Sequence, residues 1–236
     1  MSKNKAVIIS SVVAVAIVAG AVGVLALHTK NNNQDQNVTL DSANASYENK
    51  QNTFAISSMI ESNFDASDSQ AMFERSDYVA IVHVDSIDGV DNYAEVINQP
   101  ARVFTYGKFT VIDTFKGSLN EGETKNFYRV GGTMPFDKYC QHISEVECSK
   151  LEALNTDRKD VSYAVAGDID IEQGKTYLAY LKKDEALRAV EGYTFQENQG
   201  GLREIQTAGG YSANSNIKVL NNFTGEWENL SDIVKQ

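Results

Sequence analysis

Apolar and polar positions divide the chain into three stretches. The first, Ala6–Leu27, reads AVIISSVVAVAIVAGAVGVLAL and carries no charge. As a helix, its about 22 residues span roughly 33 Å, which matches a hydrocarbon core about 30 Å thick. Only Ser10, Ser11, Gly20 and Gly23 interrupt it, and membrane helices tolerate such residues. A cleaved secretory signal has a shorter core, about 7–15 residues, and the small-residue triplet Ala19-Gly20-Ala21 lies inside the run. The pattern predicts an uncleaved, single-pass signal-anchor helix. Lys3 and Lys5 precede it, whereas Lys30 and then Asp35 follow. The positive-inside rule therefore puts residues 1–5 in the cytoplasm and the rest of the chain outside the cell membrane.

Residues 28–52 form the second stretch. They are polar, rich in Asn and Gln, and lack periodicity, which predicts a flexible tether. The third stretch, residues 53–236, predicts an extracellular β domain. Ser67-Asp-Ser-Gln70 followed by AMFER reads as a capping box, predicting a short helix from Asp68 to Arg75. Phe54, Ile56, Met59, Ile60 and Phe64 suggest a preceding helix or a segment packed across the end of a barrel. Asp77–Val84 is a continuous run of the kind buried on both faces of a sheet. The acidic Asp85–Asp91 is expected to end it. Further strands are expected over Arg102–Phe115, with a bend at Gly107, and over Thr124–Val130, closed by Gly131-Gly132. Others are expected at Val161–Ala166, Ile169–Ile171, Thr176–Leu181, Gly192–Phe195, Leu202–Gln206 and Ile217–Leu220, with a closing helical turn over Asn229–Val234. An insertion, residues 133–160, holds both cysteines and a short helix carrying Ile143, Val146, Leu151 and Leu154.

Many short strands with one or two short helices predict a mainly β fold. The first expectation is a small OB-like Greek-key barrel, and a β-sandwich is the alternative.

Composition narrows the function. The 236 residues carry a formal net charge of −11, so no nucleic-acid partner is expected, because phosphate contacts need a basic face. Two cysteines and two prolines are too few for a disulfide-dense scaffold, so an ordinary core must hold the domain.

Cys140 and Cys148 lie eight positions apart in a segment placed outside the cell, where oxidation favours a disulfide. The alternative weighed against it is a metal site of Cys140, His142 and Cys148 with Asp137 or Glu147, but C-x-H-x5-C is not an established zinc spacing. His83, inside an apolar strand, suits a core position better than a catalytic base without a neighbouring nucleophile. No G-x-S-x-G elbow, Walker loop, dinucleotide fingerprint or H-E-x-x-H motif occurs, so no catalytic residues, cofactor or resident metal are assigned. Asp85, Asp88 and Asp91 lack the order of a calcium loop. Asp168, Asp170 and Glu172 alternate with Ile169 and Ile171, which predicts three carboxylates on the wet face of one strand. Tyr106, Phe109, Phe127, Tyr128 and Tyr193 are the candidate aromatic binding face, against the competing reading that they are core.

The series SDYVAIVHV, FTVIDTFKG, FYRVGG and EQGKTYLAYL, from Ser76 to Leu181, resembles a set of exported surface proteins of Gram-positive-type bacteria. That resemblance implies a small, membrane-anchored extracellular β domain and carries over no active-site residues. The function expected is a surface module that binds a peptide, glycan or protein, through a strand edge or an aromatic face. A cell-envelope hydrolase is the alternative; it requires His83 or His142 to meet an acid or nucleophile in a concave pocket. A protease-inhibitor-like wedge, presented by the Cys insertion, is a third reading.

Overall fold

The computed structural model describes residues 53–58, 64–154, 159–206, 211 and 216–234. The expected anchor, Ala6–Leu27, and the expected tether lie outside the described residues. No helix among the described residues is long and apolar enough to cross a membrane.

The domain is mainly β. It opens with β1 (Thr53–Ser58), a strand where a helix or end-cap was expected. Helix α1 (Ser69–Arg75) follows. Its N-cap is Asp68, whose carboxylate accepts from the backbone N–H of Gln70 and Ala71. The capping signal is therefore real but shifted by one residue from Ser67, whose hydroxyl instead donates to Asp65.

Strand β2 (Tyr78–Ala94) runs straight through the acidic Asp85–Asp91 that was expected to end it. It pairs antiparallel with β3 (Gln99–Lys116), and register shifts at Val84/Ser86, Ile87/Gly89 and Asp91/Tyr93 absorb the irregular residues. Such bulges kink a strand without ending its pairing. Gly107 is needed there because a Cβ would lie 2.0 Å from the Ser86 carbonyl oxygen.

Strand β4 (Thr124–Val130) leads through Gly131 into β5 (Gly132–Pro135), α2 (Phe136–Cys140) and α3 (Glu145–Leu154). Then come β6 (Asp160–Val165) and β7 (Thr176–Asp184). Residues 169–171, expected as a strand, are irregular. The chain closes with β8 (Gly192–Phe195), β9 (Leu202–Gln206), β10 (Lys218–Leu220), β11 (Trp227–Asn229) and α4 (Leu230–Ile233).

Two sheets result. The eight-stranded sheet runs β11-β10-β9-β7-β2-β3-β4-β8, and β8 also pairs with β7. Because β8 joins β4 in parallel and β7 antiparallel, the path β7-β2-β3-β4-β8 returns to its start. The smaller sheet has the order β1-β6-β5, with β1 parallel to β6. The insertion expected as a loop with a short helix thus holds two helices, α2 and α3, and supplies Thr133–Pro135 of β5 and the first residue of β6 to the second sheet.

Alternating residues of β2 feed two cores, as a strand period of two requires. Ala80, Val82 and Val84 pack with Phe109, Phe127, Tyr177, Leu181 and Phe195 within the pairing circuit. Val79 and Ile81 pack on the opposite face with Leu178 and Tyr180, beneath Met72 and Phe73 of α1 and Leu230 and Ile233 of α4. This double burial is why Tyr78–Val84 reads as an unbroken apolar run.

Candidate functional site

A cavity lies where the chain passes from the large sheet to the small one. It measures about 460 Å³ and is lined by Arg129–Thr133, by Ser162–Val165 of β6, by Asp168–Glu172, and by Thr53 and Ala55 of β1, among others. Local backbone geometry creates it. Gly131 and Gly132 have φ of 112° and 131°, values that side-chain-bearing residues rarely adopt. A Cβ on Gly132 would also lie 2.5 Å from Thr105 Oγ1. The Thr105 hydroxyl donates to the Gly131 carbonyl at 2.8 Å. This turn swings the chain out of β4 into β5 and opens the space between the sheets.

Arg129 stands at that turn and is 4% exposed. Its Nη2 donates to the Asp168 carboxylate and, at 2.8 Å, to the Ile169 carbonyl. Its guanidinium lies over the Phe195 ring, 5.3 Å from the centroid. Nη1 is buried and has no hydrogen-bond partner among the described residues. Leaving a buried donor unmade costs about 1–3 kcal/mol, more for a charged group, so the sealed Nη1 is a cost that the bonds of Nη2 must offset.

The carboxylates around it have separate environments. Burial pushes the Asp168 carboxyl above its ordinary range, against the pull of Arg129 and of the Ile169 N–H. Glu172 is exposed and paired with Lys175 at 2.5 Å. Asp170 is exposed and forms no ion pair or hydrogen bond among the described residues. The expectation that all three share the wet face of a strand is therefore corrected. The segment is not a strand, and Asp168 turns inward because a buried guanidinium needs a counter-ion.

The aromatic face also needs correction. Phe109, Phe127, Tyr128 and Tyr193 are buried. Alternation places Phe109, Phe127 and Tyr193 inside the pairing circuit. Tyr128 is closed off on the other side, its hydroxyl donating to the Val190 carbonyl at 2.6 Å. Tyr106 is half-buried beneath the Arg188 guanidinium, 4.2 Å from its ring centroid. These five residues form no exposed surface together.

Cys140 and Cys148 are joined as a disulfide, with Cα atoms 5.4 Å apart. That removes the thiolates on which the metal alternative depended. Among the described residues no group of His, Cys, Asp and Glu gathers to hold a metal ion. His142 stacks on Tyr93 with ring centroids 4.5 Å apart. His83 Nδ1 lies 3.1 Å from Thr176 Oγ1. Neither histidine lines the cavity, so the convergence required of a hydrolase does not occur there. Asp85 accepts from Thr110, Asp88 is exposed, and Asp91 lies between Lys138 and Arg188.

Arg129 was not singled out from the sequence, although a signal was present. It lies two residues after Phe127 in β4 and therefore on the same inward phase, just before a glycine pair. Comparison with protein-family models, curated proteins and solved structures finds no match.

Proposed function

We propose that this chain is a membrane-tethered extracellular binding module whose ligand, a peptide, glycan or protein segment, occupies the cavity beside Arg129. The observation that supports this reading is a cavity of about 460 Å³ whose lining brings Arg129 together with Asp168, Asp170 and Glu172. Binding sites combine a largely preformed concavity with a few fixed polar groups.

An OB-like Greek-key barrel is the fold reading that fits this role. It is supported by the five-strand circuit β7-β2-β3-β4-β8 and by the parallel β4–β8 pair within it. A sandwich leaves its two sheets unjoined at such a point. The apolar run Ala6–Leu27 and its N-terminal lysines support an outward-facing domain on a single-pass anchor.

Two measurements test the proposal. The full chain in lipid nanodiscs is titrated with soluble peptide and glycan fragments of the cell envelope, while methyl NMR follows Ala164, Val165 and Ile169. Shifts at these methyls support the reading; a panel that leaves all of them unmoved sinks it. On intact cells, a membrane-impermeant maleimide is expected to label Cys140 and Cys148 only after reduction. Labelling that requires cell lysis would reverse the topology.

A further inference from the structure

The last strand of an open sheet presents unpaired backbone groups, and folds blunt such edges with charge, proline or short length. The edges of these two sheets are unequal. The small sheet ends on one side at β5, which closes with Pro135, and on the other at β1. The large sheet ends at β11, which is three residues long. Strand β1 has six residues, TFAISS, with neither charge nor proline, and among the described residues it pairs only with β6. Its pairing defines its outer side. The Ser58 carbonyl accepts from the Ala166 N–H at 3.0 Å. Alternation therefore turns the backbone groups of Ile56 and Ser58 toward β6 and those of Ala55 and Ser57 away from it. Ala55 and Ser57 are exposed.

This edge also belongs to the cavity wall. Thr53 and Ala55 line the cavity from β1, and Ser162 and Ala164 line it from β6. The lining is thus made of small side chains out to the last strand. Three lining carboxylates, Asp168, Asp170 and Glu172, stand against one lining cation, Arg129.

From the meeting of an unguarded edge with the cavity wall we infer that β1 is a docking edge. An extended peptide segment pairs with it as a fourth strand of the small sheet, and its alternate side chains, basic rather than acidic, lie on the cavity side. The inference rests on the binding reading above and names its ligand class and mode of capture. In strand addition, main-chain hydrogen bonds supply the affinity, here through Ala55 and Ser57, and every second side chain supplies the selectivity. The excess of carboxylates selects against acidic side chains, because juxtaposed like charges are costly.

The test uses the full chain in nanodiscs and three N-acetylated, C-amidated hexapeptides. The first alternates valine with lysine and the second alternates valine with glutamate. The third is the first with N-methyl groups on its two central residues, which remove a donor from each edge of the peptide. Amide exchange followed by NMR reads the edge directly. In the free chain the N–H groups of Ala55 and Ser57 are expected to exchange faster than that of Ile56. The valine–lysine peptide is expected to slow both about tenfold and to bind about tenfold more tightly than either of the others. Ala55→Pro removes an outward N–H, which an edge strand tolerates, and is expected to abolish binding. The exchange measurement on the unaltered chain decides the matter even where that variant fails to fold. Slow exchange at Ala55 and Ser57 in the free chain means that the chain covers its own edge, and overturns the inference. Protection that rises with protein concentration alone gives the edge to a second copy and also overturns it. If a peptide or an envelope glycan moves the cavity methyls without slowing these two amides, the docking edge is overturned while the binding reading stands. If no ligand moves the methyls or slows the amides, both readings fall.

Discussion

Among the described residues, two buried arginines stand in opposite situations. Arg203 is fully enclosed. Its Nε donates to the Gly200 carbonyl at 3.1 Å, Nη1 to the Ser69 hydroxyl at 2.5 Å, and Nη2 to the Ala66 carbonyl at 3.5 Å. Glu228 lies 3.5 Å from Nη1 and also accepts from Ser69, while the guanidinium lies 5.2 Å from the Tyr180 ring centroid. This arginine ties α1, β9 and β11 together across the second core. Arg129 is almost as deeply buried, yet its Nη1 has no hydrogen-bond partner among the described residues. The contrast teaches that burial of a charge does not by itself mark a site. A cation whose nitrogens are all engaged holds the fold together, whereas one left short of a partner carries an uncompensated desolvation cost.

The largest expected effect comes from breaking the satisfied side. Arg203→Met strips the Gly200 carbonyl, the Ser69 hydroxyl and the Ala66 carbonyl of their buried donors, and hydrogen bonds to a charged group contribute about 1.5–3 kcal/mol each. Urea unfolding should show that loss, and an unchanged midpoint would mean that the network contributes little. Next is the turn that opens the cavity. Gly132→Ala imposes a side chain at φ 131° and a clash with Thr105 Oγ1. Backbone strain of this kind costs of order 1–3 kcal/mol, and cavity methyl resonances should shift even without ligand.

The double replacement Arg129→Met with Asp168→Asn removes both members of the unsatisfied side. It should leave stability within about 1 kcal/mol or raise it in the same unfolding measurement, as replacing buried ion pairs often does. A loss matching that of Arg203→Met would erase the distinction between the two arginines. The smallest effect is expected at Tyr180, whose hydroxyl is buried without a partner beside Arg203. Tyr180→Phe should change neutral-pH stability by less than about 1 kcal/mol. Its pH dependence is more telling. Burial raises the phenol from its ordinary 10.0 to about 12. The folded chain therefore holds this proton to higher pH than the unfolded chain does. The stabilisation is present below pH 10 and lost as pH rises toward 12. The Phe variant should lack that part of the alkaline decline, measured by unfolding across this range.

Strand content was legible because burial on two faces or one face leaves a period in the side chains. Thr124–Val130, Gly192–Phe195 and Leu202–Gln206 fall where the apolar pattern puts them. The extension of β2 through Asp85–Asp91 was not legible, because bulges let acidic residues remain in a paired strand. Nor was β1, whose burial comes from a parallel partner more than a hundred residues away.

The site shows the same division. Phe127 and Arg129 share a phase in β4, and Gly131-Gly132 announces a turn; these follow from one short segment. Covalent order also put Cys140 and Cys148 within reach of one another. Which carboxylate would face Arg129, which would be taken by Lys175, and which would remain free depended on how residues 168–172 pass beside β4. Local pattern determines which side chains a strand must hide, because that depends only on neighbours in sequence. Partnership among charges depends on distances between segments far apart in the chain, and only the folded arrangement of the two sheets decided those.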